Sequence, residues 1–132
     1  MIMTGTTPFP KVDDDPRLPH VAKRATRQIA KTALNAEQTV QFRHFESLTA
    51  ALEHVRADGY KVAALEQAAS SEPLPASVSA NWAIIVGNEP NGLHSDELAL
   101  ADEIWEIPMQ GAKKSLNVSI AGAIALWQLQ QK

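Results

Sequence analysis

The sequence predicts an α/β domain on a mostly parallel sheet, and three observations carry that expectation. Short apolar segments of strand character alternate along the chain with segments of helical periodicity, the pattern that crossover helices between parallel strands impose. A chain of 132 residues is long enough to bury one core and too short for two ordinary ones, so a single domain over 1–132 is expected. No repeat, low-complexity tract or linker divides it.

The elements follow in order. "MIM" reads as the tail of a strand, and "TGTTPFPKVDDDPRLP" as a Pro-rich connection with turn chemistry throughout. Leu18, Val21, Ala22, Ala25 and Ile29 then recur at helical spacing, with Lys23, Arg24, Arg27 and Lys31 largely off that stripe. "TVQFRHF" alternates like a half-buried strand. Ser47 is a candidate N-cap for a helix whose inner face is Leu48, Ala51, Leu52 and Val55, and Gly59 stops it. "YKVAALE" is the next strand, "SSEPLPASVSAN" a polar loop and "WAIIVG" a continuous buried strand. "SDELALA" is a short helix with Ser95 as cap and acids in its first turn, where the helix dipole favours them. "IWEIPM" is a strand that Pro108 helps to end. The final helix is expected to place Leu116, Ile120, Ala123, Ile124 and Trp127 on its core face.

Composition excludes several classes of function. There is no cysteine, hence no disulfide or thiolate chemistry, and a cytoplasmic setting is the expectation. No basic segment followed by an apolar one opens the chain, and no apolar run approaches a membrane span, so no membrane partner is expected. No metal site is expected either. A net charge of −3 argues against coating nucleic acid by bulk charge. A local basic face stays open, because phosphate binding depends on where cations cluster. The Lys23–Arg24–Arg27–Lys31 face is the candidate for RNA contact, against the alternative of an ordinary solvated surface.

In parallel sheets ligands bind at the carboxyl ends of strands. Three such ends stand out: "ALEQ", "GNEPNGL" and "IPMQGAKKSLNVS", the last running into a helix start with free N–H donors. Asn and Gly in the second are also ordinary turn residues. Ser115 and Asn117 in the third are also ordinary caps. Together "GNEPNGL", "ADEIWEIPM" and "GAKKSLNVSIAGAIALW" resemble, in order and spacing, the C-terminal motifs of the SpoU (TrmH-like) branch of the SPOUT RNA methyltransferases. The resemblance is dense over Trp82–Leu129. It extends loosely upstream through "ALEQ" and through "KTALNAE", where Asn35 takes the place of a family glycine.

That resemblance implies an α/β knot, with the C-terminal segment threaded into a deep trefoil, one of the rare exceptions to unthreaded chains. It implies an RNA 2′-O-ribose methyltransferase acting on tRNA or rRNA, with S-adenosylmethionine held in the knot. Leu65 would line one side of the cofactor, Gly87 would admit its close approach, and Ile107 and Met109 would flank the adenine. Ser115, Leu116 and Asn117 would close the other side. Glu89, Ser115 and Asn117 are the candidates for a part in the reaction. Glu89 is alternatively a carboxylate that pins its loop. Lys113 and Lys114 could meet phosphate or simply be solvated. Such proteins are usually homodimers through the final helix, which would make Trp127 and Leu129 interface residues. The family's first motif, N-x-G-x-x-x-R, has no counterpart: none of Arg17, Arg24, Arg27, Arg43 or Arg56 stands in that context. An N-terminally shortened domain is therefore expected. A catalytically inactive protein that still binds S-adenosylmethionine or RNA is the alternative.

Overall fold

Strands and helices alternate in the computed structural model, which describes residues 1–88, 91–112 and 115–130. The chain divides into two compact units, Met1–Ala51 and Leu52–Lys132.

In the first unit β1 (Ile2–Thr4) pairs in parallel with β2 (Arg43–Phe45), Ile2 opposite Arg43. Between them runs α1 (Pro19–Ala33). Pro19 suits the first turn, where its missing N–H costs nothing. Ala22 is fully buried, while Lys23, Arg24, Arg27 and Lys31 are exposed. The helix ends at two successive left-handed residues, Leu34 (φ 50°) and Asn35 (φ 75°). Asn tolerates that conformation better than most residues, which fits it to a place a glycine would take. A second short helix, α2 (Ala36–Thr39), follows, so the strand expected over "TVQFRHF" is shorter than read. Its first residue belongs to α2, whose turn is closed by the Val40 N–H donating to the Ala36 carbonyl (2.9 Å), and pairing begins only at Arg43. The Pro-rich connection is pinned by Arg17. Its guanidinium donates to the Asp15 carboxylate and to the Phe9 carbonyl (2.9 Å) and lies 3.5 Å from the Phe9 ring centre. Phe9 stacks on His44 in turn.

Helix α3 (Leu48–Ala57) starts as expected, with the Ser47 hydroxyl accepting the Ala50 N–H (3.2 Å). It is followed by Gly59 at φ +83°, a conformation glycine adopts without strain.

The second unit holds a four-stranded parallel sheet in the order β4–β6–β3–β5. At its centre is β3 (Lys61–Leu65), in which Val62, Ala63 and Ala64 are fully buried. Its partners are β5 (Trp82–Val86) and β6 (Glu103–Glu106). Two readings are corrected here. The "WAIIVG" strand is a half-buried edge among the described strands, with β3 on one side and Val86 43% exposed. The "SSEPLPASVSAN" loop contains β4 (Glu72–Pro73), a two-residue strand beside β6; proline is tolerated at such an edge. Leu74 follows it into the core and donates its N–H to the Glu106 carbonyl (2.8 Å). Helix α4 (Ser95–Leu98) begins one residue earlier than a Ser95 cap requires. His94 occupies the cap position, and the Glu97 carboxylate accepts its N–H (2.9 Å).

Helix α5 (Val118–Leu129) carries the largest correction. Ala125 is fully buried, and Ala121 and Leu129 pack on the sheet beside Trp105, Trp82 and Ile84. Ile120, Ile124 and Trp127, read as the core face, are exposed, and Leu129, read as an interface residue, packs on the core. A helix apolar all round carries no periodicity that picks a face. The small side chains settle it: Ala121 and Ala125 let the backbone close on the Trp82–Trp105 pair, whose ring centres lie 4.6 Å apart. Gln128 fixes the far end by donating to the Leu74 and Pro75 carbonyls (3.2 and 2.9 Å). No helix among the described residues is long and apolar enough to cross a membrane.

Ala125→Leu should destabilise the fold by about 1–3 kcal/mol through overpacking. The same change at exposed Ala123 should stay within about 0.5 kcal/mol; paired denaturant melts compare them. A second expectation concerns pH. The Val62 N–H (2.7 Å), more than the Arg56 guanidinium (3.0 Å), holds the Asp102 carboxyl below its ordinary range. A depressed carboxyl contributes stability above its unfolded value that is lost as pH falls through the folded one. The destabilisation caused by Asp102→Asn should therefore be largest at neutral pH and shrink below about pH 4, as melts across that range would record.

Candidate functional site

Because β3, β5 and β6 run in parallel, their carboxyl ends open along one edge of the sheet, and the start of α5 closes over them. A cleft of about 590 Å³ lies there, within the range of small-molecule sites. Its walls are Leu65, Glu66 and Gln67 at the end of β3; Val86, Gly87, Asn88, Asn91 and Gly92 at and beyond the end of β5; and Glu106, Ile107 and Met109 at and beyond the end of β6. Ser115–Val118 and Ala121 complete it. Leu65, Gly87, Ile107, Met109, Ser115, Leu116 and Asn117, drawn from separate motifs, are thus brought to one place.

The described residues of "GNEPNGL" serve both as a turn and as a wall. The Gly92 N–H donates to the Asn88 carbonyl (2.9 Å), and the Asn91 N–H to the Asn88 side-chain oxygen (3.1 Å). The turn folds back so closely that a Cβ on Gly87 would stand 2.6 Å from the Gly92 carbonyl oxygen and 2.7 Å from its Cα. Gly92 itself holds φ +64°. Glu66, at the end of β3, ties into this turn: its carboxylate accepts the N–H groups of Leu93 and Gln67, each at 3.0 Å. Asn117 caps α5, its side-chain oxygen accepting the Ser119 N–H (2.9 Å).

Other candidates fall elsewhere. Lys23, Arg24, Arg27 and Lys31 belong to α1 in the first unit, while Glu89, Lys113 and Lys114 lie outside the described residues. The described lining contains no arginine, lysine or histidine. Arg17 is engaged by Asp15 and Phe9, and Arg56 by Asp102 and the Leu100 carbonyl (2.7 Å). No cluster of histidine or carboxylate groups suited to a metal occurs among the described residues. Several lining residues were given no site role in the sequence, Glu66, Gln67 and Glu106 among them. Gln67 and Glu66 sit in "ALEQ", where their strand-end position was the available signal. Glu106 immediately precedes "IPM" and accepts the Ser71 hydroxyl (2.7 Å).

Residues 17–127 match the model of the SpoU rRNA Methylase family. The chain belongs to the SpoU rRNA methylase family. Among SpoU relatives, a 23S rRNA (guanosine-2'-O-)-methyltransferase RlmB from Vibrio vulnificus is 29% identical over 78% of this chain and 42% of its own length. A tRNA (guanosine(18)-2'-O)-methyltransferase from Escherichia coli K12 is 29% identical over 80% of this chain and 47% of its own. The chain therefore spans under half the length of these two relatives. A solved RNA 2'-O ribose methyltransferase superposes with a TM-score of 0.68 at 26% identity, over 79% of this chain and 40% of that one.

As the cap of a SpoU-family helix, Asn117 should follow ordinary capping energetics. Asn117→Ala should cost about 1 kcal/mol of stability and Asn117→Asp far less, read as thermal denaturation midpoints.

Proposed function

We propose that the chain is the methyltransferase domain of an RNA 2′-O-ribose methyltransferase that takes S-adenosylmethionine in the β3–β5–β6–α5 cleft. The observation that carries this reading is the convergence of seven residues from separate motifs on one cleft of suitable size. The chemistry of the lining fits the cofactor. At Gly87 the Gly92 backbone leaves no room for a side chain. Leu65, Ile107, Met109 and Leu116 offer apolar walls for an adenine, with Met109 able to adapt its shape. The start of α5 offers backbone donors for polar groups, and Asn117 fixes that start by capping it.

When bound, S-adenosylmethionine supplies a sulfonium methyl group for transfer to a ribose 2′-hydroxyl, which loses its proton as the thioether product forms. The protein's part is alignment of the two reactants in a sheltered cleft. Glu89 and Ser115 are the side chains assigned to that part, with Asn117 acting through the helix start. The exposed cations of α1, with Lys113 and Lys114, are assigned to RNA phosphates, tRNA or rRNA. The exposed apolar residues Ile120, Ile124, Leu126 and Trp127 of α5 are assigned to a homodimer interface. A threaded C-terminal trefoil, a single-domain organisation and a cytoplasmic location complete the reading.

A second reading, binding without turnover, is favoured by one observation. Among the described residues the lining holds the carboxylates Glu66 and Glu106 but no cationic side chain to stabilise a hydroxyl as it loses its proton.

Calorimetric titration with S-adenosylmethionine and S-adenosylhomocysteine, followed by transfer of labelled methyl to purified tRNA and rRNA, separates the two. The parent chain should bind in the micromolar range, about −8 kcal/mol, and Gly87→Val should bind at least about tenfold more weakly. Transfer to the ribose supports the first reading, binding without transfer supports the second, and no binding by folded protein sinks both.

A further inference from the structure

We infer that Glu66 is the positioning residue that holds the Gly87–Leu93 loop in place as a wall of the cleft; its consequence for ligand binding rests on the cofactor reading above. Glu66 stands one residue beyond β3, the centre of the sheet and its most deeply buried strand. One carboxylate oxygen accepts the N–H of neighbouring Gln67, and the other reaches across to the N–H of Leu93, 27 positions on. Both oxygens are thus taken by backbone donors. Hydrogen bonds to an ionised carboxylate are shorter and roughly twice as strong as neutral ones, and a half-buried Leu93 N–H deprived of its acceptor would carry an uncompensated desolvation cost.

The packing around this bond is nested. A methyl added to Gly92 would overlap the Glu66 carboxylate, and one added to Gly87 would overlap Gly92. Gly92 thus leaves no room for a side chain at Gly87, nor Glu66 where it stands for one at Gly92, so three residues from two strand ends lie close together along one wall. Within the loop itself, the described ties are the Asn88–Gly92 bridge and the Asn91 bond to the Asn88 side chain, and both close the turn on itself. The Glu66–Leu93 bond fastens that closed turn to the neighbouring strand end.

Glu66→Ala and Glu66→Gln, made in the full chain, test the inference by amide hydrogen exchange and by calorimetric titration with S-adenosylmethionine. In Glu66→Ala the Leu93 amide should exchange at least about tenfold faster, while Ala63 and Ala64 in β3 keep their protection. Affinity for S-adenosylmethionine should fall by about tenfold or more. Glu66→Gln, which keeps one acceptor oxygen, should lie between parent and Ala variant on both readouts. If Glu66→Ala does not fold, the Gln variant carries the same comparison of Leu93 with Ala64. Unchanged Leu93 exchange, or parental affinity in the variants of a binding-competent chain, overturns the inference. A parent that binds no S-adenosylmethionine, with Leu93 still loosened by the substitutions, overturns the cofactor reading and upholds the anchor.

Discussion

Every wall of the cleft depends on β3 pairing in parallel with β5 on one side and β6 on the other. Parallel pairing sends all three carboxyl ends to the same edge, so residues far apart in sequence arrive together without any of them being specified for that meeting. The register is held at the opposite end by a reciprocal clasp. The Asp102 N–H donates to the Val62 carbonyl (2.8 Å), and the Asp102 carboxylate accepts the Val62 N–H (2.7 Å). Slippage by one residue would turn Ala63, Leu65 and Trp105 away from the core they share with α5.

The local chemistry of the cleft is dominated by main chain. The turn after β5 closes on its own carbonyl, the helix start offers N–H groups, and β4 reaches its place through the Leu74 N–H. Side chains contribute mainly by holding that backbone still: Asn88 within the turn, Asn117 at the helix start, Gln128 at the helix end, Glu66 between strand ends. Such a site is recognised in sequence by its glycines and caps more than by reactive groups.

That explains what could be read in advance. The strand–helix alternation, the Ser47 cap and the Gly59 stop were legible because each rests on local conformational preference, and the grouping of the "GNEPNGL", "IPM" and "SLNVS" segments through their places at strand ends and the resemblance to the SpoU family. The orientation of α5 was not, since apolar residues surround the helix and only the sheet's need for the small Ala121 and Ala125 chooses a face. β4 was hidden because two residues, one a proline, carry no alternation; its partner β6 defines it. Glu66 was hidden for a related reason. Its position marked a strand end, but its meaning lies in a residue 27 places away.

The stacking of Gly87 on Gly92, and of Gly92 on Glu66, also has a consequence for how this loop can drift over generations. A side chain at Gly87 would meet the Gly92 backbone, which no second side-chain change removes, and one at Gly92 would keep its left-handed strain even with the Glu66 side chain moved aside, so substitution at either glycine meets a barrier set by the main chain. Relatives that depart from glycine at one of these sites should take a different backbone course through the turn. The two glycines would then be inherited together, while the surrounding loop residues vary more freely.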